Sequence, residues 1–254
     1  MTSLNEDVSA YGDMAEFYEL VAEQQAQRSG PLLREALAGL TAEGGTAVEI
    51  GSGTGRITEI IAETVTDADI LAVEPAPGMR AVLTSRLAGP LGSRVTVSTD
   101  AAPDLALPEQ IRAAVVFGVA GHLDASGRTR LWSRLRERLM PGGVVVVELM
   151  GVRSTRPLSE ACQLRSRVGD LAYEWWVGGT PMDEGTMRFS SRWIVRDDRG
   201  RVTREVRGGY VWHAVGVEEL VRESGMHVET LGARTGSGMP EVAVLHHPRK
   251  DVHV

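Results

Sequence analysis

The chain has 254 residues, is 43% hydrophobic and carries a formal net charge of -7. That is enough apolar sequence for one full core with room for an insertion, and the acidic balance excludes a phosphate backbone as the main partner, because such sites need a basic face. The long apolar run Gly143 to Val147 is too short to cross a bilayer, the residues from Met1 to Asp7 lack the regions of a signal peptide, and lone Cys162 can form no internal disulfide, so a cytoplasmic protein is expected.

The predicted elements begin with a helical segment over residues 1–45. Its first ten residues are polar and expected to be mobile. From Asp13 the apolar residues Met14, Phe17, Leu20 and Val21 recur at helical spacing, which predicts a helix to Gln27. Ser29-Gly30-Pro31 should break it, and a second helix from Pro31 to Leu40 opens with proline at a tolerated position.

Residues 46–150 alternate strands and helices. A strand over Ala47 to Ile50 breaks into Gly51-Ser52-Gly53-Thr54-Gly55, where small residues let the backbone turn sharply and approach a ligand. The helix expected over Thr54 to Thr64 offers its unpaired N–H groups to that ligand. A strand over Ile70 to Glu74 closes on a carboxylate about 20 residues past the glycine turn, the place where ribose hydroxyls are bound. A helix over Met79 to Leu87 and a strand over Val95 to Ser98 lead to Asp100-Ala101. The strand Ile111 to Val116 leads to Phe117 and to Gly121-His122-Leu123; a helix over Arg128 to Met140 should end at Pro141-Gly142-Gly143, before the apolar strand Val144 to Met150. This alternation predicts a doubly wound parallel sheet whose ligand lies beyond the C-terminal strand ends, where Glu49, Glu74, Asp100 and His122 converge.

Residues 151–213 change pattern. Strands are expected over Leu171 to Val177, Thr186 to Val195 and Val202 to Val211, the last two joined as a hairpin through Asp197-Asp198-Arg199-Gly200. They form an antiparallel β layer inserted after the fifth strand, expected to roof the active site, to form a dimer surface, or both. The arginines from Arg192 to Arg207 read as a solvated sheet face. Over residues 214–254 a helix, Val217 to Ser224, and an antiparallel pair, Val228 to Leu231 with Val242 to Leu245, complete a seven-stranded sheet before a loose tail. The tail histidines have no carboxylate or cysteine at ligand spacing, so no metal site is expected.

The glycine turn departs from the dinucleotide fingerprint, since Arg56 stands where that fingerprint needs its third glycine. Glu49, two residues ahead of Gly51, would meet an ammonium group and repel a pyrophosphate. The stretch Val48-Glu49-Ile50-Gly51-Ser52-Gly53-Thr54-Gly55 resembles the first motif of the class I S-adenosylmethionine-dependent methyltransferases. The resemblance implies a Rossmann-like α/β fold with a seven-stranded sheet, S-adenosyl-L-methionine as cofactor and S-adenosyl-L-homocysteine as product. It implies cofactor contacts from Glu49, Gly51, Ser52, Gly53 and Gly55, from Glu74, Pro75 and Met79, and from Asp100, Ala101 and Phe117. Glu74 would take the ribose and Asp100 the adenine amino group. The alternatives are a tight turn that binds nothing, a helix cap at Glu74 and a simple turn at Asp100.

Methyl transfer asks the protein to hold a nucleophile in line, about 3 to 3.5 Å from the methyl group, and to manage one proton. His122 is the best placed titratable group for that work. The stretch Tyr11 to Leu20, together with Gly121-His122-Leu123 and Val145-Val146-Val147-Glu148, is similar to actinobacterial N-methyltransferases that dimethylate amino groups of deoxysugars in antibiotic assembly. In that family a tyrosine and a histidine flank the acceptor amine, which on this chain implies Tyr11 and His122. The likeness covers residues 11 to 150 and is weaker beyond. It implies N-methylation of a small molecule. O-methylation with His122 as base, and a relative that holds the cofactor yet catalyses cyclisation or only binds, stand as alternatives. Phe117-Gly118-Val119-Ala120 replaces the N/D-P-P-Y/F stretch of enzymes that methylate bases, so no nucleic-acid acceptor is expected. Trp175, Trp176, Trp193, Tyr210 and Trp212 are the aromatic candidates for a roofed pocket, and one or two should touch substrate. A homodimer is the expected assembly.

Overall fold

The computed structural model describes residues 2–89, 91–149, 156–183, 185–232 and 241–248, with side chains from Met14 onward. In chain order the first elements are α1 (Thr2–Ala38), β1 (Thr46–Ile50), α2 (Arg56–Thr64), β2 (Asp69–Val73), α3 (Pro77–Leu87) and β3 (Val95–Ser98). Next come β4 (Ile111–Val116), a single 3-10 turn (Ala120–His122), α4 (Ala125–Arg138) and β5 (Leu139–Leu149). Then follow β6 (Leu158–Val168), β7 (Leu171–Asp183), β8 (Thr186–Arg196), β9 (Val202–His213), α5 (Val217–Ser224), β10 (His227–Gly232) and β11 (Glu241–His246).

Seven strands make one sheet in the order β10-β11-β5-β4-β1-β2-β3. The expected Rossmann-like sheet is therefore present. β1 pairs in parallel with both β2 and β4, and β11 runs antiparallel to β5. The chain steps outward from β1 to β2 and β3, then returns to β4 on the other side of β1. Neighbouring connections thus leave the tip of β1 in opposite directions and open a crevice there, the usual ligand site of such sheets. The central strands read as continuous apolar runs because both faces are covered. On one face Val115 and Val146 pack with Leu33 of α1 and Ile57 and Ile61 of α2; on the other Val116 and Val145 pack with Leu131, Trp132 and Leu135 of α4 and Leu220 of α5.

Two expectations about helices are corrected. α1 runs without a break through Ser29-Gly30-Pro31, and its backbone is helical from Thr2 rather than from Asp13. Pro31 removes one helix hydrogen bond, but the turn around it is held by packing. The Ser29 hydroxyl donates to Glu148 of β5 at 2.5 Å, Gln25 also donates to Glu148, and Leu33 is fully buried. α4 ends at Arg138, and the strand begins at Leu139 instead of Val144. A residue before proline is driven to extended backbone, so the helix stops ahead of Pro141.

The inserted residues form a four-stranded antiparallel sheet in the order β6-β7-β8-β9. Strand β6 was not foreseen. It is an edge strand in which only Leu164 is buried, so it lacks the alternation that marks a half-buried strand. The expected hairpin between β8 and β9 is present, with Asp197 accepting from the N–H groups of Arg199 at 3.0 Å and Arg201 at 2.9 Å. One face of this sheet carries Met187, Phe189, Trp193 and Val195 inward. Trp193 stacks on Phe17 of α1 with ring centroids 5.1 Å apart, which fixes the sheet over the N-terminal helix. The other face is charged: Arg192 lies over Trp176 and pairs with Glu160, and Arg196 pairs with Glu174.

Candidate active site

The crevice at the tip of β1 is a cleft with about 760 Å³ of empty space, part of it open to solvent. The glycine turn forms its floor. Gly51 has φ 75°, and a Cβ there would stand 2.3 Å from the Val119 side chain, so the exits of β1 and β4 touch only because that position is glycine. The N–H groups of Gly51 and Ser52 both donate to the Val73 carbonyl, at 2.8 and 3.0 Å, which bolts the turn to the end of β2.

Glu74 stands at the same end. Its carboxylate accepts from the Gly53 N–H at 2.8 Å and from the Ala76 N–H at 2.7 Å, one oxygen each. Each oxygen keeps a lone pair for a further donor. Burial pushes the Glu74 carboxyl above its usual value, against the pull of these two N–H groups and of Arg80. Arg80 also donates to the carbonyls of Glu74 at 2.8 Å and Pro75 at 2.6 Å, pinning the loop that enters α3. Asp100 and Ala101, just past β3, line the cleft beside Met79 and Phe117. An acid at the end of β2, apolar walls and a glycine floor fit a nucleoside cofactor.

Three of the residues expected at the cofactor are not in the cleft lining. Glu49 is turned inward, 2% exposed, and its carboxylate accepts from the Thr58 hydroxyl of α2 at 2.5 Å. Burial raises that carboxyl to about 7. Ser52 is buried within the turn. Gly55 packs beneath α3, where a Cβ would lie 2.7 Å from Leu83. These residues shape the turn from below. Tyr11 belongs to α1, and its side chain lies outside the described residues.

At the other end of the cleft is His122, closing the 3-10 turn, its N–H donating to the Val119 carbonyl at 2.9 Å. Two rings from β9 stand against it. Trp212 meets the imidazole edge-on at 5.1 Å and Tyr210 lies tilted at 5.3 Å. Gly121 permits this approach, since a Cβ there would sit 2.0 Å from the Trp212 ring. The inserted sheet therefore roofs the site at His122. Of the five aromatic candidates, Tyr210 and Trp212 reach His122; Trp193 packs on α1, Trp175 stacks on Trp193 at 5.6 Å, and Trp176 lies under Arg192.

Tyr18 of α1 also lines the cleft and was given no role by the sequence. It lies within the Tyr11 to Leu20 stretch that carried the family likeness, so the signal was present but unassigned. Burial, and then the Glu74 carboxylate, hold its hydroxyl well above the usual tyrosine range, which makes it a donor rather than a base at neutral pH. Glu148, buried and raised by burial, receives Ser29 and Gln25 and so anchors α1 across the sheet.

Residues 47–143 match the model of a methyltransferase domain. The resemblance to S-adenosylmethionine-dependent methyltransferases is thereby borne out. The methyltransferase fold also extends beyond the matched residues. DesVI from Streptomyces venezuelae is 19% identical, with a TM-score of 0.73 over 91% of this chain and 95% of that one. CalS10 from Micromonospora echinaspora is 19% identical, with a TM-score of 0.67 over 85% and 89%. KedS8 from a Streptoalloteichus species is 18% identical, with a TM-score of 0.63 over 90% and 87%. At these identities the likeness is one of fold, and it includes the inserted sheet because the coverage leaves little of either chain unmatched. No curated protein sequence matches the chain. Among the described residues no helix is long and apolar enough to cross a membrane.

Proposed function

We propose that the protein transfers a methyl group from S-adenosylmethionine to the amine of a small-molecule acceptor, an amino sugar being the acceptor class. The observation that carries this reading is the placement of His122. It faces the same cleft as Glu74 and the glycine turn, beneath a roof of Tyr210 and Trp212. CalS10 is described as an amino pentose methyltransferase and KedS8 as a sugar N-methyltransferase, which supports the acceptor class.

When bound, the cofactor supplies an electrophilic methyl group on a sulfonium. Glu74 would accept from the ribose hydroxyls, its carboxylate held in place by the Gly53 and Ala76 N–H groups. Asp100 would accept from the adenine amino group, and Met79 and Phe117, which line the cleft beside it, would give the base an apolar bed. The Gly51 and Gly53 backbone leaves room for the methionine end. His122 takes the proton of an arriving ammonium, so that the amine presents its lone pair to the methyl group. Tyr210 and Trp212, packed against the imidazole, keep water away from His122.

The test is to incubate the protein with S-adenosylmethionine and a panel of aminodeoxyhexosides and their hydroxyl counterparts, reading S-adenosylhomocysteine and methylated product by mass spectrometry. Product should appear with amine acceptors, and His122→Ala should slow it at least about tenfold with unchanged affinity for S-adenosylhomocysteine. Methylation confined to the hydroxyl compounds would refute N-transfer, and unchanged turnover in the variant would refute the role of His122.

A further inference from the structure

Arg130, Arg134 and Arg138 stand four residues apart along α4 and so share one face of the helix. All three reach the segment 99–110 that joins β3 to β4. Arg134 is the centre of the clasp: its guanidinium donates to the Pro103 carbonyl and to the Leu105 carbonyl, the latter at 2.6 Å. Arg138 reaches the carbonyls of Leu107 at 3.4 Å and Pro108 at 3.3 Å, and Arg130 pairs with Asp104 at 3.4 Å. The planar fork of an arginine holds two carbonyls at once in a fixed geometry, and its charge strengthens both hydrogen bonds. Inside the clasp, Leu105 is fully buried in the main core.

The same segment begins with Asp100, which faces the cofactor cleft. Asp100 is oriented from within the segment: its Oδ2 accepts from the Ala106 N–H at 2.8 Å, and its own N–H donates to Ser98 Oγ at 3.1 Å. Ala106 follows Leu105, whose carbonyl Arg134 holds. A chain of contacts thus runs from α4, on the far side of the loop, to a carboxylate in the cleft. Its other oxygen, Oδ1, is left to accept from a donor on the ligand.

We propose that Arg134 is a positioning residue for the nucleobase end of the cleft, fixing Asp100 so that its carboxylate selects a base carrying an exocyclic amine. The proposal rests on the reading of this cleft as the S-adenosylmethionine site. It gives an arginine with no contact to the ligand a share in cofactor selection.

The experiment compares calorimetric affinities for two probes, S-adenosylhomocysteine and its analogue with purine in place of adenine, which lacks the amino group. Wild type should bind the adenine compound at least about tenfold more tightly, as expected for a hydrogen bond to a charged acceptor. Arg134→Ala should lose affinity for the adenine compound only, bringing the ratio within about threefold, and Arg134→Gln, with a shorter and uncharged amide in place of the fork, should fall between. Should Arg134→Ala fold poorly by thermal unfolding, the Gln variant carries the comparison. An unchanged ratio in both variants, or an equal loss for both probes, would overturn the proposal and leave Arg134 as a brace for the fold. If wild type binds both probes equally, the adenine role of Asp100 fails instead; if it binds neither, the cofactor reading itself fails.

Discussion

Replacing Glu49 by glutamine tests whether the acid at the head of the glycine turn is held against its own charge. The carboxyl is 2% exposed and rises from 4.5 to about 7, with burial as the largest cause and the Thr58 and Ser52 hydroxyls opposing it. Each tenfold gain in proton affinity is worth about 1.4 kcal/mol, so an ionised Glu49 costs the folded state about 3 kcal/mol. The folded value lies above the unfolded one. Stability from this group is therefore complete below about 4.5, falls as pH rises, and is fully lost above about 7. Glutamine mimics the protonated acid, keeps an oxygen for the Thr58 hydroxyl and cannot ionise. Urea denaturation at pH 5 and pH 8.5 should find Glu49→Gln close to wild type in the acid buffer and more stable by about 3 kcal/mol in the alkaline one. A stability difference that does not change between the two buffers would refute the reasoning, because no loss other than ionisation has that pH dependence.

Two further substitutions probe the cleft and its frame. Glu74→Ala removes the acceptor of the Gly53 and Ala76 N–H groups, and should weaken S-adenosylhomocysteine binding by roughly 1 to 3 kcal/mol in a calorimetric titration; unchanged affinity would move the ribose elsewhere. Arg128 forms a paired contact with Glu223 at 2.8 and 2.7 Å, both side chains nearly inaccessible, and also donates to the Leu123 carbonyl behind His122. Arg128→Ala strands a buried carboxylate and should cost about 3 to 5 kcal/mol by urea unfolding, whereas Arg128→Met combined with Glu223→Leu should recover most of that loss. A double variant as unstable as the single one would show that the damage is not the stranded charge.

The sequence by itself determined the parallel strands, the glycine turn and the acids at Glu74 and Asp100. Each of these is written in local chemistry: apolar runs buried on both faces, φ angles open only to glycine, and a spacing set by one strand-helix-strand unit. It also placed His122 at the mouth of the fourth strand, where the structure has it. The tertiary structure decided what depends on partners far along the chain. The persistence of α1 through Pro31 rests on Glu148, which lies more than a hundred residues away, and no local propensity reports that contact. Strand β6 exists because β7 offers it hydrogen bonds, although its own side chains are mostly exposed. Trp175, Trp176, Trp193, Tyr210 and Trp212 look alike in composition, and only the fold of the inserted sheet over Gly121 sorts two of them onto His122. Glu49 shows the same division. The sequence put an acid beside the turn, and burial against Thr58, which only the packed structure supplies, turned that acid inward and raised its proton affinity.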